Sequence, residues 1–328
     1  MLDVFSHGRL PSGLRQFSPS QIAQIARTVR RTPEVMVKVT GGGKSGGAVA
    51  AHFAYISRKG ELEIETDDGR HVTGKEDTKA LLNDWHLDLI AGQYRWEPKT
   101  APDARRVKLV HNIVFSMPSP TPPAKVLAGA KHFAQEKFGL QHRYAMVLHT
   151  DQPNPHVYMV VKAESELGHR LHIDKPMLRQ WREDFAQAMR EQGIAANATP
   201  RVIRGKNKGK TPDPIFRAQR RGESRVFRER ARSVAQELAR TKTISDRARS
   251  KVAETRRNVR ASWERVAEVL EAQGEIELGG NARYFAKTLP RALTDREQLA
   301  TQLIEYMRNT RSHGSQERER RREDDLTR

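Results

Sequence analysis

The sequence predicts an α+β protein. An antiparallel-sheet domain with flanking helices is followed by a basic, mostly helical C-terminal region and a disordered tail. Three observations carry this expectation. Two apolar β-prone runs, Tyr144 to Leu148 and Val157 to Val161, flank a Gln-Pro-Asn-Pro turn, the pattern of a hairpin with a polar crown. The segments before and after it read in the order strand, helix, hairpin, helix, strand, helix, hairpin, which fits an α+β domain with an antiparallel sheet. Composition then changes near Pro200: between Arg201 and Arg232 there are twelve Lys or Arg and only three acids.

Taken in order, Ser20 to Val29 forms a short amphipathic run with Ile22, Ile25 and Val29 on one side, in an accessory segment expected over 1–33. Glu34 to Thr40 reads as a first strand, and Gly41 to Gly47 as a flexible loop. That loop is not a Walker motif, because Lys38 stands where the first glycine of G-x-x-x-x-G-K-[ST] belongs. Ala48 to Ile56 has helix-forming composition, with Gly60 as the expected C-cap and Tyr55 in the last turn beside Arg58 and Lys59. Glu61 to Thr66 and Arg70 to Thr73, joined by Asp-Asp-Gly, read as a hairpin, and Glu76 to Ala91 as a helix with Leu81, Leu82, Trp85, Leu89 and Ile90 on its apolar side. Val107 to Ser116 is a second clear strand. Pro123 suits the first turn of a helix running to about Phe138. After the central hairpin, Arg170 to Asp174 is expected to extend the sheet and Pro176 to Gln192 to form an amphipathic helix. The sheet domain thus spans 34–200.

The basic helical region follows over 201–310, with helices marked by Val252, Val259, Trp263, Val266 and Leu270 and by Thr294 to Met307. Residues 311–328 are too polar to pack. Trp85, Trp181 and Trp263 sit among apolar residues at helical spacing and are read as core.

Charge and composition limit the chemistry. A formal net charge of +19 over 328 residues matches a polyanion, and nucleic acid is the leading partner. The one-sided block after Pro200 repels itself unless an anion neutralises it, which singles out Arg201, Arg204, Lys206, Lys208 and Lys210 as DNA contacts. There is no cysteine, so thiol nucleophiles and Cys-ligated zinc are excluded. No apolar run approaches the ~20 residues that span a bilayer, and the first residues lack the basic and apolar regions of a signal peptide, so the chain reads as cytoplasmic.

The central hairpin holds the richest chemistry. Strand alternation turns His149 and Asp151 one way on the first strand, and gives His156, Tyr158 and Val160 a shared face on the second. If the polar faces meet, two imidazoles, a carboxylate and a phenol form a metal or phosphate pocket. Tyr55, with cationic neighbours to hold a phosphate and ease loss of a proton of pKa near ~10, has the surroundings of a phosphoryl-attacking tyrosine.

Three stretches together resemble the T-DNA border endonuclease and mobilisation nuclease family of relaxases, a branch of the HUH single-strand DNA nucleases. Tyr55-Ile-Ser-Arg-Lys-Gly-Glu-Leu-Glu-Ile64 is similar to the family's nucleophile motif, and Ile113-Val-Phe-Ser-Met-Pro118 to its second motif. His149-Thr-Asp-Gln-Pro-Asn-Pro-His156-Val-Tyr158 is similar to the third, H-x-D-x-x-x-P-H-x-H. Two positions depart from the pattern. Tyr158 replaces the last histidine, and Asn112 the histidine often found four residues before the motif-two serine; His111 lies next door but is expected on the opposite strand face.

The resemblance implies an HUH nuclease domain that nicks one DNA strand at a transfer origin. Tyr55 is the implied nucleophile, Asp151 or a neighbouring histidine takes its proton, Ser116 positions DNA, and Arg58 and Lys59 hold the backbone. His149, His156 and Tyr158 are the implied ligands of a divalent cation, Mg or Mn. Implied partners are single-stranded or locally melted origin DNA, accessory DNA-binding proteins and a type IV secretion coupling protein, with export of the DNA-bound protein to a recipient cell. An origin-binding module that no longer cuts and a rolling-circle replication initiator remain as alternatives.

Overall fold

The computed structural model describes residues 15–87, 107–206, 221–241 and 243–308. They divide into two compact units, one from Ala23 to Thr199 and one from Pro200 onward together with the residues before Ala23. The first unit is organised on a six-stranded sheet. Its strands are β1 (Met36–Gly41), β2 (Ile64–Thr66), β3 (His71–Val72), β4 (Val110–Ser116), β5 (Tyr144–His149) and β6 (His156–Lys162), in the spatial order β1-β4-β6-β5-β2-β3. Every neighbouring pair is antiparallel.

The helices of this unit are α2 (Gly46–Ile56), α3 (Gly74–Asp84), α4 (Pro123–Phe138) and α5 (Lys175–Glu191), after an α1 (Pro19–Val29) that crosses the unit boundary. Period-two alternation along the strands decides which helix packs where. Ile113, Phe115, Val157, Met159 and Val161 face one way and pack with Phe133 and Phe138 of α4 and with Trp181, Phe185 and Met189 of α5. Val110, Ala145, Val147 and Val160 face the other way and pack with Val49, Phe53 and Ile56 of α2, Leu81 of α3, and Trp85. The sheet is therefore covered on both faces. α2, which carries Tyr55, lies on the same face as the even-numbered residues of β6.

The second unit holds α6 (Arg225–Thr241), α7 (Arg249–Ala272) and α8 (Ile276–Lys287), with a further helix over 295–308. Its core is centred on Trp263, which is fully buried, packs edge-on against Phe285 at 4.9 Å and donates its indole N–H to the Ile203 carbonyl at 2.9 Å. Trp85 and Trp181 are buried in the first unit, as their helical spacing among apolar residues predicts. Among the described residues no helix is long and apolar enough to cross a membrane.

Several local expectations need correction. Gly41 to Gly47 is not simply a flexible loop: Gly41 ends β1, and the Ser45 hydroxyl accepts from the Ala48 N–H as the N-cap of α2, so that Gly46 and Gly47 form the helix's first turn. Gly60 does not cap α2, since Ser57 ends the helix three residues earlier. Arg170 to Asp174 forms no strand: Arg170 makes an isolated bridge to Glu164, and the Leu171 N–H donates to the Ala163 carbonyl at 2.7 Å. The third helix begins at Gly74 and ends at Asp84, with Trp85 as its C-cap, while Leu89, Ile90 and the tail at 311–328 lie outside the described residues. β4 starts at Val110 rather than Val107.

His111 behaves as strand alternation predicts. It faces away from the α2 side, and its Nε2 lies 3.1 Å from the Leu171 carbonyl. Burial pushes its pKa down to about 4, against the raising effect of that carbonyl. In the folded chain it is therefore neutral across the window from its ordinary 6.5 down to about 4, whereas the unfolded chain takes up a proton there. The associated stability is intact above that window and is lost as pH falls through it, by at most about 3 kcal/mol. Urea unfolding of the wild-type protein and His111→Gln between pH 7 and 4.5 should show a steeper loss for the wild type; equal slopes contradict this assignment.

Candidate active site

Each part of the site is positioned by an element of the sheet unit. The register between β5 and β6 sets His149 directly opposite His156, and Val147 opposite Tyr158. His149, His156 and Tyr158 consequently share the α2 face of the sheet, with ring centroids 5.2 Å (His149 to His156), 4.8 Å (His149 to Tyr158) and 5.3 Å (His156 to Tyr158) apart. Tyr55, in the last turn of α2, reaches the same group with its ring 6.4 Å from that of Tyr158. It is 50% exposed, which leaves its phenol open to solvent.

Backbone carbonyls fix both imidazoles. His149, only 2% exposed, donates from Nε2 to the Ile56 carbonyl at 2.6 Å, which leaves Nδ1 directed at Asp151, 3.6 Å from Oδ1. His156 donates from Nδ1 to the Asn154 carbonyl at 3.1 Å, which leaves Nε2 with its lone pair. A histidine that spends one ring N–H on a carbonyl presents the other nitrogen as a metal ligand in a set orientation. Burial also holds His149 below its ordinary pKa range, against the raising effect of the Ile56 carbonyl. That favours the neutral, ligating form.

The ligand atoms of His149, Asp151 and His156 all lie within 4.8 Å of one another. Two imidazoles and a carboxylate fit a divalent cation with open coordination positions. Asp151 is also held by the Arg58 guanidinium, at 2.5 Å. Arg58 follows α2 in a strained turn, with positive φ at Arg58 (53°), Lys59 (61°) and Gly60 (96°). Left-handed backbone at the two non-glycine residues costs of order 1 kcal/mol each. Gly60 is required by packing as well as by φ, because a Cβ there would sit 2.7 Å from the Gly74 Cα.

The remaining predicted site residues divide. Ser116 pairs with His156 across β4 and β6, but its buried hydroxyl donates to the Pro155 carbonyl at 3.1 Å. It thereby ties the turn before β6. Asn112 is buried on the same face with its side-chain oxygen unpartnered among the described residues. Arg201, Arg204 and Lys206 belong to the second unit, and Lys208 and Lys210 lie outside the described residues.

His52 is a site residue that sequence reasoning missed. It sits one turn before Tyr55 on α2, with its ring 6.3 Å from the Tyr55 ring at an interplanar angle of 25°. Its edge faces Tyr158 at 6.4 Å. The available signal was the i, i+3 spacing of His52 and Tyr55, which puts both on one face of a helix.

Residues 55–194 match the family model of the MobA/VirD2-like relaxase nuclease domain, a span that starts at Tyr55 and contains the strands bearing both histidines. The chain is 29% identical over 217 residues to the T-DNA border endonuclease VirD2 of Agrobacterium fabrum (strain C58), covering 61% of this chain and 46% of that protein. It is 27% identical over 187 residues to VirD2 of Rhizobium radiobacter, covering 52% of this chain and 43% of that protein. The chain thus spans less than half the length of these relatives. Among solved structures, it is similar to a MobM relaxase domain bound to plasmid origin-of-transfer DNA in a Mn-bound crystal, at TM-score 0.37 and 14% identity over 56% of this chain and 98% of that one.

Two measurements probe the site. Asp151→Asn should weaken Mn²⁺ binding by about 10-fold or more in isothermal titration; an unchanged affinity would remove Asp151 from the donor set. Gly60→Ala should lower unfolding free energy by about 1–3 kcal/mol, and a neutral result in urea denaturation would show that the turn relaxes freely.

Proposed function

We propose that this protein is a DNA relaxase that nicks one strand at a transfer origin by tyrosine transesterification. The observation that carries the reading is the meeting of Tyr55 with the His149, Asp151 and His156 group on one face of the sheet. Residues 34–200 would form the nuclease domain.

The Tyr55 oxygen attacks a backbone phosphorus and the bond to the 3′ oxygen breaks. The tyrosine is left linked to the 5′ phosphate, with a free 3′ hydroxyl on the other fragment. One phosphodiester replaces another, so the step is close to reversible and suits later rejoining of the strand. Arg58 and Lys59, immediately after the nucleophile helix, supply positive charge for the backbone phosphates. His149, Asp151 and His156 would hold a divalent cation, Mg²⁺ or Mn²⁺, with the Tyr158 phenol beside them. When bound, such a cation polarises the non-bridging oxygens and offsets transition-state charge. A tyrosine half exposed at a helix end acts only on a strand it can reach, so the substrate is single-stranded or locally melted DNA.

The basic stretch with Arg201, Arg204, Lys206, Lys208 and Lys210 is proposed to contact DNA flanking the nick. Accessory proteins, a secretion coupling protein, a cytoplasmic location and export with the strand belong to the same reading. One observation favours a second: the site face carries a phenol at Tyr158 where the family has an imidazole, as expected of a module that binds origin DNA without cutting it.

The test mixes the protein with origin oligonucleotides labelled at either end, in Mg²⁺, Mn²⁺ or chelator, and resolves products on a denaturing gel. The expected result is a metal-dependent, protein-linked band that keeps the 3′ label and disappears in Tyr55→Phe. Binding without such a band, with the correct origin and every metal, would instead support the non-cutting module.

A further inference from the structure

Attack by Tyr55 requires that its phenolic proton go somewhere, and most bases around it are already committed. Asp151 is paired with Arg58 at 2.5 Å. His149 spends Nε2 on the Ile56 carbonyl and turns Nδ1 toward Asp151 and the metal-ligand cluster. His156 spends Nδ1 on the Asn154 carbonyl and offers its remaining nitrogen to the same cluster. His52 differs from all three. Its Nε2 is buried and, among the described residues, nothing hydrogen-bonds to it. A buried imidazole nitrogen without a protein partner costs free energy unless a hydrogen-bonding group reaches it.

On the strength of the nuclease reading above, we propose that His52 Nε2 is the acceptor of the Tyr55 phenolic proton. His52 lies one turn before Tyr55 on the same helix face, its ring alongside the phenol at 6.3 Å and braced edge-on by Tyr158 at 6.4 Å. Proton transfer requires the exposed Tyr55 side chain to turn its hydroxyl toward this nitrogen when DNA is bound. In the step itself, the proton passes from Tyr55 Oη to His52 Nε2 and the phenolate oxygen forms its bond to phosphorus. The bond from phosphorus to the 3′ oxygen breaks, and that oxygen leaves with the electron pair and takes a proton from water. The hydroxide so formed is neutralised when His52 sheds its proton to solvent, and no net proton is consumed. This assigns to one histidine on α2 a role that the hairpin residues, held by Arg58, by backbone carbonyls and by the metal site, are not free to fill.

The test is the single-turnover rate of covalent capture of a saturating single-stranded origin oligonucleotide in Mn²⁺, alongside oligonucleotide affinity by fluorescence anisotropy. His52→Ala and His52→Phe should each slow capture by about 100-fold or more, within the span of general-base effects, and leave affinity unchanged. Added imidazole should restore His52→Ala at least ~10-fold. His52→Phe keeps a ring against Tyr55, so a rate within ~3-fold of wild type would show that packing alone matters and would overturn the proposal. Failure of imidazole to rescue His52→Ala would overturn it as well. Should the alanine variant unfold, His52→Gln replaces it in the slowing measurement, and His52→Phe still decides between packing and proton transfer. Absence of a covalent band with the wild-type protein sinks the nuclease reading and this proposal together, whereas a normal band in both wild type and His52→Phe sinks only the proposal.

Discussion

The hydrogen bond from His149 Nε2 to the Ile56 carbonyl, 2.6 Å long, joins the two halves of the site. The last carbonyls of a helix have no partner within it, and here one of them is used to orient an imidazole at the end of β5. A single bond thus satisfies part of the α2 terminus, selects the His149 tautomer and pins the helix that carries Tyr55 to the hairpin. It works because His149 is 2% exposed, where water does not compete for the carbonyl. The rest of the arrangement follows: Tyr55, one residue before Ile56, is carried to the edge of the cluster, and the chain beyond Ile56 must turn sharply to continue to β2.

That turn shows how backbone strain and charge are combined. Ser57 Oγ accepts from the Gly60 N–H at 3.1 Å, and Arg58, Lys59 and Gly60 are all held at positive φ. The left-handed conformation at Arg58 costs stability, but it accompanies a guanidinium positioned on Asp151 and so beside the imidazoles. Arg58 there neutralises the carboxylate. The pair is half exposed, so its contribution to stability is small and its value lies in placement.

Legibility differs between the fold and the site for physical reasons. The hairpin, the strand ending at Ser116 and the helix from Pro123 to Phe138 are readable because alternation, proline chemistry and apolar period are local properties. The start of α2 is not, since a glycine-rich stretch has loop composition and only the Ser45 cap reveals a helix there. Arg170 to Asp174 has strand composition but finds no strand partner, and pairing is a tertiary event. Alternation puts His156 and Tyr158 on one face of their strand, and the strand register then brings His149 to the same side. His52 escapes notice because a lone histidine on a helix has no meaning until its neighbours across the chain are known.

The sequence by itself determined the parts: an antiparallel α+β unit, a tyrosine at a helix end next to basic residues, an H-x-D and Pro-His hairpin, and a strongly basic region after Pro200. These follow from spacing and charge, which the chain carries wherever it folds. Tertiary structure decided how the parts meet. It alone set the register that faces His149 with His156, laid α2 on that side of the sheet, committed Asp151 to Arg58, and left the His52 nitrogen buried and unpartnered. Those relations join residues up to about a hundred positions apart, and no local pattern encodes a distance that exists only once the sheet has closed around its core.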